Sequence, residues 1–310
     1  MILIFPIEIK YKAEIVGAQR QGFQTFYYSY EHIVLGDVRS MLGQIPICTH
    51  PTPALLRGFV MPLVAYTAIY EQLANEKNIY LLDTPEQHLE VCSVVNHYDK
   101  VSHLCPPTAW IDGESALDEE VLKAKLSTFG KQGKRLMMKD YMRSAKYERE
   151  QPYDIADHTQ ISQVHEAMAK FKAYHNGVIN GGFVFSEFIP DLCLVHDQPF
   201  PLTHQPMYEE YRLLFFNKDL LMVVNYWEEM PDYSHQLQKD ELKPFQEAAK
   251  HINSNFFTID IARRKDGSLV LIELNPGQLS GVDYKRHHEF YQLLQQYLHT
   301  LSEDTIISQV

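Results

Sequence analysis

The sequence is poor in cysteine, in positive charge and in long apolar runs, and each shortage closes off a class of function. Only four cysteines occur in 310 residues. Cys48, Cys92, Cys105 and Cys193 lie far apart with no C-x-x-C pair, so neither a zinc ribbon nor a disulfide framework is the natural reading. Reduced thiols in a cytoplasmic setting fit this usage. Lys and Arg number 28 against 40 Asp and Glu, a formal net charge of −12. Such a chain repels phosphate backbones, so no polynucleotide partner is expected. The most apolar stretch, Gly58 to Tyr70, has about a dozen residues with Pro62 inside, short of the roughly 20 that span a bilayer. It reads as a buried helix, and no membrane partner is expected. The opening Met1-Ile2-Leu3-Ile4-Phe5-Pro6 lacks a basic leader and reads as a buried strand rather than a signal peptide. Internal repeats and low-complexity segments are absent as well.

What is present points to a folded chain of one large or two modest domains. Short β-rich runs (Ile2 to Phe5, Phe23 to Tyr28, Ile79 to Leu82) alternate with helical patterns, most clearly Ala54 to Asn75, which predicts an N-terminal α/β domain. Two prolines and a glycine in Cys105 to Glu114 mark a junction. Residues 1–115 are therefore expected to form the first domain and 116–310 the second. In the second, helices are predicted at Leu117 to Phe129, Thr159 to Tyr174 and Tyr284 to Leu301. Strands are predicted at Arg135 to Lys139, Phe183 to Ile189, Tyr211 to Phe216, Leu220 to Tyr226, Phe256 to Ala262 and Ser268 to Leu274. This mixture is α+β and largely antiparallel.

The most informative passage runs from Phe256 to Pro276. Asp266-Gly267 between two apolar runs is a hairpin signal, because a two-residue type I′ turn needs positive φ at both central positions. That turn would set Lys265 opposite Ser268 and Asp260 opposite Glu273, with Cβ atoms about 4.5 to 5.5 Å apart, and Asn275 on the same face. Opposed carboxylates repel unless a cation lies between them. Asp, Glu and Asn oxygens suit Mg²⁺, which is held by one or two carboxylates together with substrate phosphates. A solvated acidic face is the alternative.

Asp260, followed after the hairpin by Ile272-Glu273-Leu274-Asn275-Pro276, resembles the closing metal-binding signature of the ATP-grasp superfamily. Upstream, Lys139-Asp140-Tyr141 and Ser144-Ala145-Lys146 are similar to a divergent clade of that superfamily. The clade includes the eukaryotic assembly chaperone of translation initiation factor two and many uncharacterised bacterial and phage proteins. Phe183 to Ile189 resembles the strand that ends in the adenine hinge. Glu209-Glu210-Tyr211-Arg212 looks like the strand whose arginine faces the phosphates. The likeness covers roughly Leu117 to Val282, with fainter echoes at Leu55 to Phe59 and Thr84 to His88. Four motifs in the expected order are what give each of them weight.

The resemblance implies an ATP-grasp fold, two α+β subdomains (about 116–182 and 183–310) clasping ATP, preceded by a small N-terminal α/β domain. It further implies that Lys139, Lys146 and Ser144 contact ATP, that the backbone around Glu187 and Phe188 reads adenine, and that Arg212 stabilises the transferring phosphoryl group. Asp260, Glu273 and Asn275 would hold Mg²⁺. Arg57, Gln278 and Ser280 are candidates for contact with the acceptor. The family's usual reaction joins a carboxylate to an amine through an acylphosphate, so a ligase acting on carboxylate and amine substrates, a peptide or protein among them, is expected. Tyr226-Trp227-Glu228-Glu229 lacks the basic residues that would greet an acidic acceptor. The alternative is an ATP-binding assembly chaperone or protein-binding module without ligase turnover.

Overall fold

The run Ile2-Leu3-Ile4-Phe5 is apolar at every position, the pattern of a strand covered on both faces. A computed structural model describes residues 1–59, 61–142, 154–196, 198, 206–228 and 230–300. In it this run is an inner strand, β1 (Ile2–Pro6), of a four-stranded sheet ordered β2 (Gln24–Tyr28), β1, β3 (Thr52–Leu56), β4 (Ile79–Leu81), parallel in each pairing. Alternation sends its side chains to two cores. Ile2 and Ile4 join Ala54, Leu56, Ile69 and Leu81, whereas Leu3 and Phe5 join Leu55, Leu214, Phe256 and Leu294.

The helix expected over Ala54 to Asn75 is in fact two elements: β3, then helix α2 (Leu63–Gln72), which begins after Pro62. Helix α1 (Lys12–Arg20) precedes both. Apolar residues of β3 and α2 run together in sequence, but Gly58 separates them. Its φ is +139°, and an added Cβ would collide with Tyr28 Oη, which donates to the Arg57 carbonyl at 3.0 Å. Only glycine fits that backbone.

The described residues divide into two units. One draws on Met1–Val91, Tyr211–Asp260 and Leu274–Val310; the other on Cys92–Glu210 and Ile261–Glu273. The second contains an antiparallel sheet ordered β5 (Thr108–Asp112), β8 (Gly182–Glu187), β6 (Leu136–Asp140), β7 (Asp154–Ile155). Helices α3 (Glu119–Leu126) and α4 (Ile161–Tyr174) supply Leu122, Leu126, Val164 and Phe171 to a core with Met138, Phe183 and Phe185. Asp118 caps α3 by accepting from the amides of Glu120 and Val121. On β6, Leu136, Met138 and Asp140 are buried while Met137 and Lys139 are half-buried, so alternation turns Lys139 to the opposite face from the core. A short ribbon of β9 (Leu194–His196) and β10 (Met207–Tyr208) also belongs to this unit.

A third sheet is ordered β12 (Asp219–Asn225), β11 (Glu210–Phe216), β13 (Phe256–Arg263), β14 (Leu269–Pro276). Within the first unit, Phe215 of β11 stacks on Phe257 of β13, with centroids 5.1 Å apart and planes 9° from parallel. Helix α5 (Lys239–His251) was not expected from sequence, because Pro244 interrupts its pattern; the Glu241 side chain accepts from the Gln238 amide and holds its start. Helix α6 (His287–Thr300) lays Phe290, Tyr291 and Leu294 into the core shared with β1 and β3. No helix among the described residues is long and apolar enough to cross a membrane.

The β13–β14 turn differs from the expected two-residue form. Of its residues only Gly267 has positive φ, +89°, so a type I′ turn is excluded. The loop has three residues, Lys265 to Gly267: the Gly267 amide donates to the Arg264 carbonyl and the Arg264 amide to the Ser268 carbonyl. Asp266 decides this, accepting from the Ser268 amide at 2.9 Å and hydroxyl at 2.7 Å, which leaves one left-handed position for glycine. At the other end of the hairpin the Gly277 amide donates to Phe256. That is the offset a Lys265 to Ser268 pairing would have produced.

Candidate functional site

In the first unit the centre is an arginine and a carboxylate on neighbouring strands. Arg212 of β11 makes a fork to Asp260 of β13, Nε to Oδ1 and Nη2 to Oδ2, both at 2.8 Å. Asp260 is 1% exposed. Its Oδ2 also meets the Asn275 amide nitrogen at 3.4 Å. The remaining Arg212 nitrogen, Nη1, donates to the Gly281 carbonyl at 3.2 Å, and the Tyr226 ring lies 5.0 Å from the guanidinium. Tyr211 and Leu213 flank Arg212 and are buried in the opposite direction, so strand alternation alone delivers the guanidinium to Asp260. A buried ion pair is weak evidence for stability, since an apolar replacement is commonly neutral or favourable by about 1 to 4 kcal/mol.

Arg57, Gln278 and Ser280 gather around the loop that follows Asn275. Arg57 is 2% exposed. It donates to Glu14 at 2.8 Å, to the Ser280 carbonyl at 2.8 Å and, by a short bond, to the Gly277 carbonyl. Tyr291 donates to the same Glu14 oxygen at 2.8 Å. Burial, reinforced by the Glu14 charge, pushes the Tyr291 phenol well above its ordinary value. The Ser280 hydroxyl meets Thr258 at 2.7 Å and donates to the Pro276 carbonyl. Gln278 receives the Gly58 amide on its carbonyl at 2.8 Å. In the structure Arg57 thus grips backbone. Glu14 and Tyr291 were not singled out from sequence, and nothing near them in the chain signals the role.

In the second unit, Lys139 Nζ lies 2.9 Å from Glu273 Oε1, each side chain about a fifth exposed (21% and 22%). Asp140, fully buried beside it, accepts from the amides of Met142 and Asn180 and from the Asn180 side chain, which fixes the end of β6. Cys105 is pushed up to about 12 by burial, with Lys139 pulling the other way. Burial there favours the neutral thiol over the nucleophilic thiolate. Glu187 pairs with Lys134 at 2.7 Å, and the Arg135 guanidinium stacks 3.9 Å over the Phe188 ring. The amides of Glu187 and Phe188 already donate to the carbonyls of Pro107 and Arg135. Ser144 and Lys146 lie outside the described residues.

No group of three or more His, Cys, Asp or Glu side chains is gathered for a metal among the described residues. Asp260 and the Asn275 side chain in the first unit, and Glu273 in the second, are hard-oxygen donors of the kind Mg²⁺ takes alongside a nucleotide's phosphates, as opposed to a cage made by protein alone. Each carboxylate carries a basic partner, Arg212 for Asp260 and Lys139 for Glu273.

Likeness to solved structures places the chain in the ATP-grasp fold. A RimK domain ATP-grasp protein from Sphaerobacter thermophilus aligns at TM-score 0.58 and 10% identity, over 96% of this chain and 99% of that one. The D-cycloserine synthetase DcsG aligns at 0.60 and 14%, over 96% and 100%. The ATP-grasp ligase PsnB, solved with the precursor peptide PsnA2 and AMPPNP, aligns at 0.55 and 12%, over 99% and 96%; PsnB has also been solved with a minimal precursor, Mg and ADP. Residues 115–295 match the family described as the ATP-grasp domain of the R-two-K clade, family 3, and the chain belongs to that family. No curated protein matches the sequence.

Proposed function

We propose that this chain is a Mg-ATP-dependent ligase that joins a carboxylate to an amine, with a peptide as one of the two substrates. The observation that carries the reading is the forked Arg212–Asp260 pair with Asn275 against it, in a chain of the ATP-grasp family. The peptide assignment is supported by the structural likeness to PsnB, which was solved with its precursor peptide. None of the four cysteines forms a disulfide, which suits a reducing compartment, and we assign the protein to the cytoplasm.

In this scheme the substrate carboxylate attacks the γ-phosphorus of ATP and ADP leaves. The amine then adds to the acyl carbon of the acylphosphate, loses a proton and expels phosphate. Asp260, Glu273 and Asn275 would hold Mg²⁺, whose chemistry is to neutralise the charge on the phosphates. Arg212 and Lys139, together with Lys146 and Ser144, would face phosphate oxygens, Arg212 adding a rigid fork at the developing charge. Glu187 and Phe188 would border adenine. Because both of their amides are already donated, recognition there would draw on neighbouring groups. Arg57, Gln278 and Ser280 would shape the acceptor side of the centre. With the carboxylates holding Mg²⁺, Arg212 and Lys139 would exchange those partners for phosphate oxygens.

Thermal unfolding with and without Mg-ATP tests the site. A stabilising shift is expected in the wild type and none in Asp260→Ala combined with Glu273→Ala. Absence of a wild-type shift would sink the assignment. Release of ADP on addition of peptide and amine mixtures, with a condensed product by mass, tests the reaction.

A further inference from the structure

The parallel sheet β2-β1-β3-β4 reverses its order between β1 and β3, and in open α/β sheets ligands bind beyond the carboxyl ends of strands at such a point. Three aromatic rings meet in the segments around that position. Tyr11 and Phe59 stand edge to face at 5.6 Å, and Tyr30 lies 4.2 Å from Phe59. A cation already sits on them: Lys10 Nζ is 4.3 Å from the centre of the Phe59 ring and 5.0 Å from that of Tyr11. Beside them, Glu8 Oε2 is buried with no hydrogen-bond partner. A buried carboxylate oxygen without a donor is costly and uncommon in a folded protein. The Glu8 charge reaches the Tyr11 ring. Tyr11 is pushed up to about 12 by burial, with Arg57 opposing and Glu14 and Glu8 adding to the rise.

Hydrogen bonds alternating with adjoining backbone tie this cluster to the proposed centre. The Phe59 carbonyl accepts from Gln278 Nε2 at 3.4 Å and the Gly58 amide donates to the Gln278 carbonyl at 2.8 Å. Arg57 holds the Ser280 carbonyl at 2.8 Å, and the next residue, Gly281, gives its carbonyl to Arg212. Ile7 and Ile9, 60% and 86% exposed, flank Glu8 in the chain and offer apolar surface to residues adjoining a bound side chain.

We infer that Tyr11, Tyr30, Phe59 and Glu8 form a receptor for a lysine side chain of the peptide substrate, whose ammonium takes the place that Lys10 holds. Aromatic faces bind cations by their quadrupole, and a carboxylate oxygen supplies the acceptor that an ammonium needs. The net charge of −12 draws basic peptides toward the chain. An ammonium held this way keeps its proton, so it anchors the substrate and is not the attacking nitrogen, which must be neutral to add to an acyl carbon. The use of this receptor rests on the ligase reading; its existence does not.

The test is an NMR titration of the whole chain, without nucleotide, using a blocked Ala-Lys-Ala peptide, the same peptide with norleucine for lysine, and free lysine. The lysine peptide is expected to bind about tenfold more tightly than the neutral one, in the range of a desolvated cation–aromatic contact. Lys10→Met, a surface change, removes the competitor and is expected to tighten lysine-peptide binding several-fold. Phe59→Leu and Glu8→Gln are expected to weaken it. Equal binding of the lysine and norleucine peptides, or no gain in Lys10→Met, would overturn the receptor. Free lysine binding as tightly as the peptide would overturn the assignment to a peptide. Failure to release ADP would count against the ligase and leave these results standing.

Discussion

Two arginine–carboxylate pairs lie in the same unit and do different work. Arg57 and Glu14 are enclosed, with side chains 2% and 6% exposed, and the polar groups that meet them are backbone carbonyls and the Tyr291 phenol. Arg212 and Asp260 have side chains 16% and 2% exposed, and an amide, an aromatic face and the Gly281 carbonyl lie against them. The chemistry of the bond is the same in both. What differs is what the arginine would leave behind: Arg57 holds two backbone carbonyls as well as its carboxylate, whereas the proposed function has Arg212 turn from one anion to another. Another buried carboxylate of this unit, Asp83, extends the comparison. It is met by neutral donors, the Ser254 hydroxyl at 2.9 Å and the Asn255 amide at 2.6 Å.

The largest effect is expected from breaking the enclosed pair. Glu14→Ala leaves the Arg57 charge buried and should cost about 3 to 5 kcal/mol in denaturant unfolding. A loss much below this would place Arg57 in the exchangeable class. Asp83 is next. Burial raises it from 3.8 to about 6, opposed by its hydrogen bonds from Asn255 and Ser254. Because the folded value lies above the unfolded one, its contribution to stability is complete below about pH 3.8 and is lost as the pH rises through about 6. The wild type should therefore lose about 3 kcal/mol relative to Asp83→Asn across that window. Denaturant midpoints of both proteins at pH 4 and pH 7 check it, and parallel profiles would show that Asp83 does not titrate there.

Arg212→Lys keeps the charge and loses the fork. ADP release should fall about 100-fold, the scale of one lost donor to a developing charge, with little change in melting temperature. An equal loss of stability would make Arg212 a second Arg57. The smallest effect belongs to Lys123, which bridges Glu119 and Glu120 at 2.5 and 3.1 Å on an exposed helix face. Lys123→Ala should leave the melting temperature within about 1 °C of wild type, because exposed pairs contribute little.

The parts of this molecule legible in sequence are those whose partners are near or whose pattern is periodic. The strand carrying Arg212 and the strand carrying Asp260 each follow from alternation, and the two residues are in contact in the structure. Arg57 is legible only as a residue type, since its bonds reach 43 positions one way and more than 220 the other. The strand at Thr52–Leu56 was hidden because an apolar run before a proline-broken helix carries no period of its own. The turn at Asp266-Gly267 was misjudged because the same dipeptide serves two turn types. The Asp266 side chain's bonds to Ser268, which no spacing reveals, choose between them.

The double coverage of β1 has a consequence for biosynthesis. One side of this strand meets residues made within the next 80 positions, but Leu3 and Phe5 are covered by Phe290, Tyr291 and Leu294. At about 5 to 20 residues per second, that face waits roughly 15 to 60 seconds on the ribosome for its cover. Throughout that interval the apolar face of β1 is available to other nascent chains, so production of this protein depends on what shields that face until helix α6 is made.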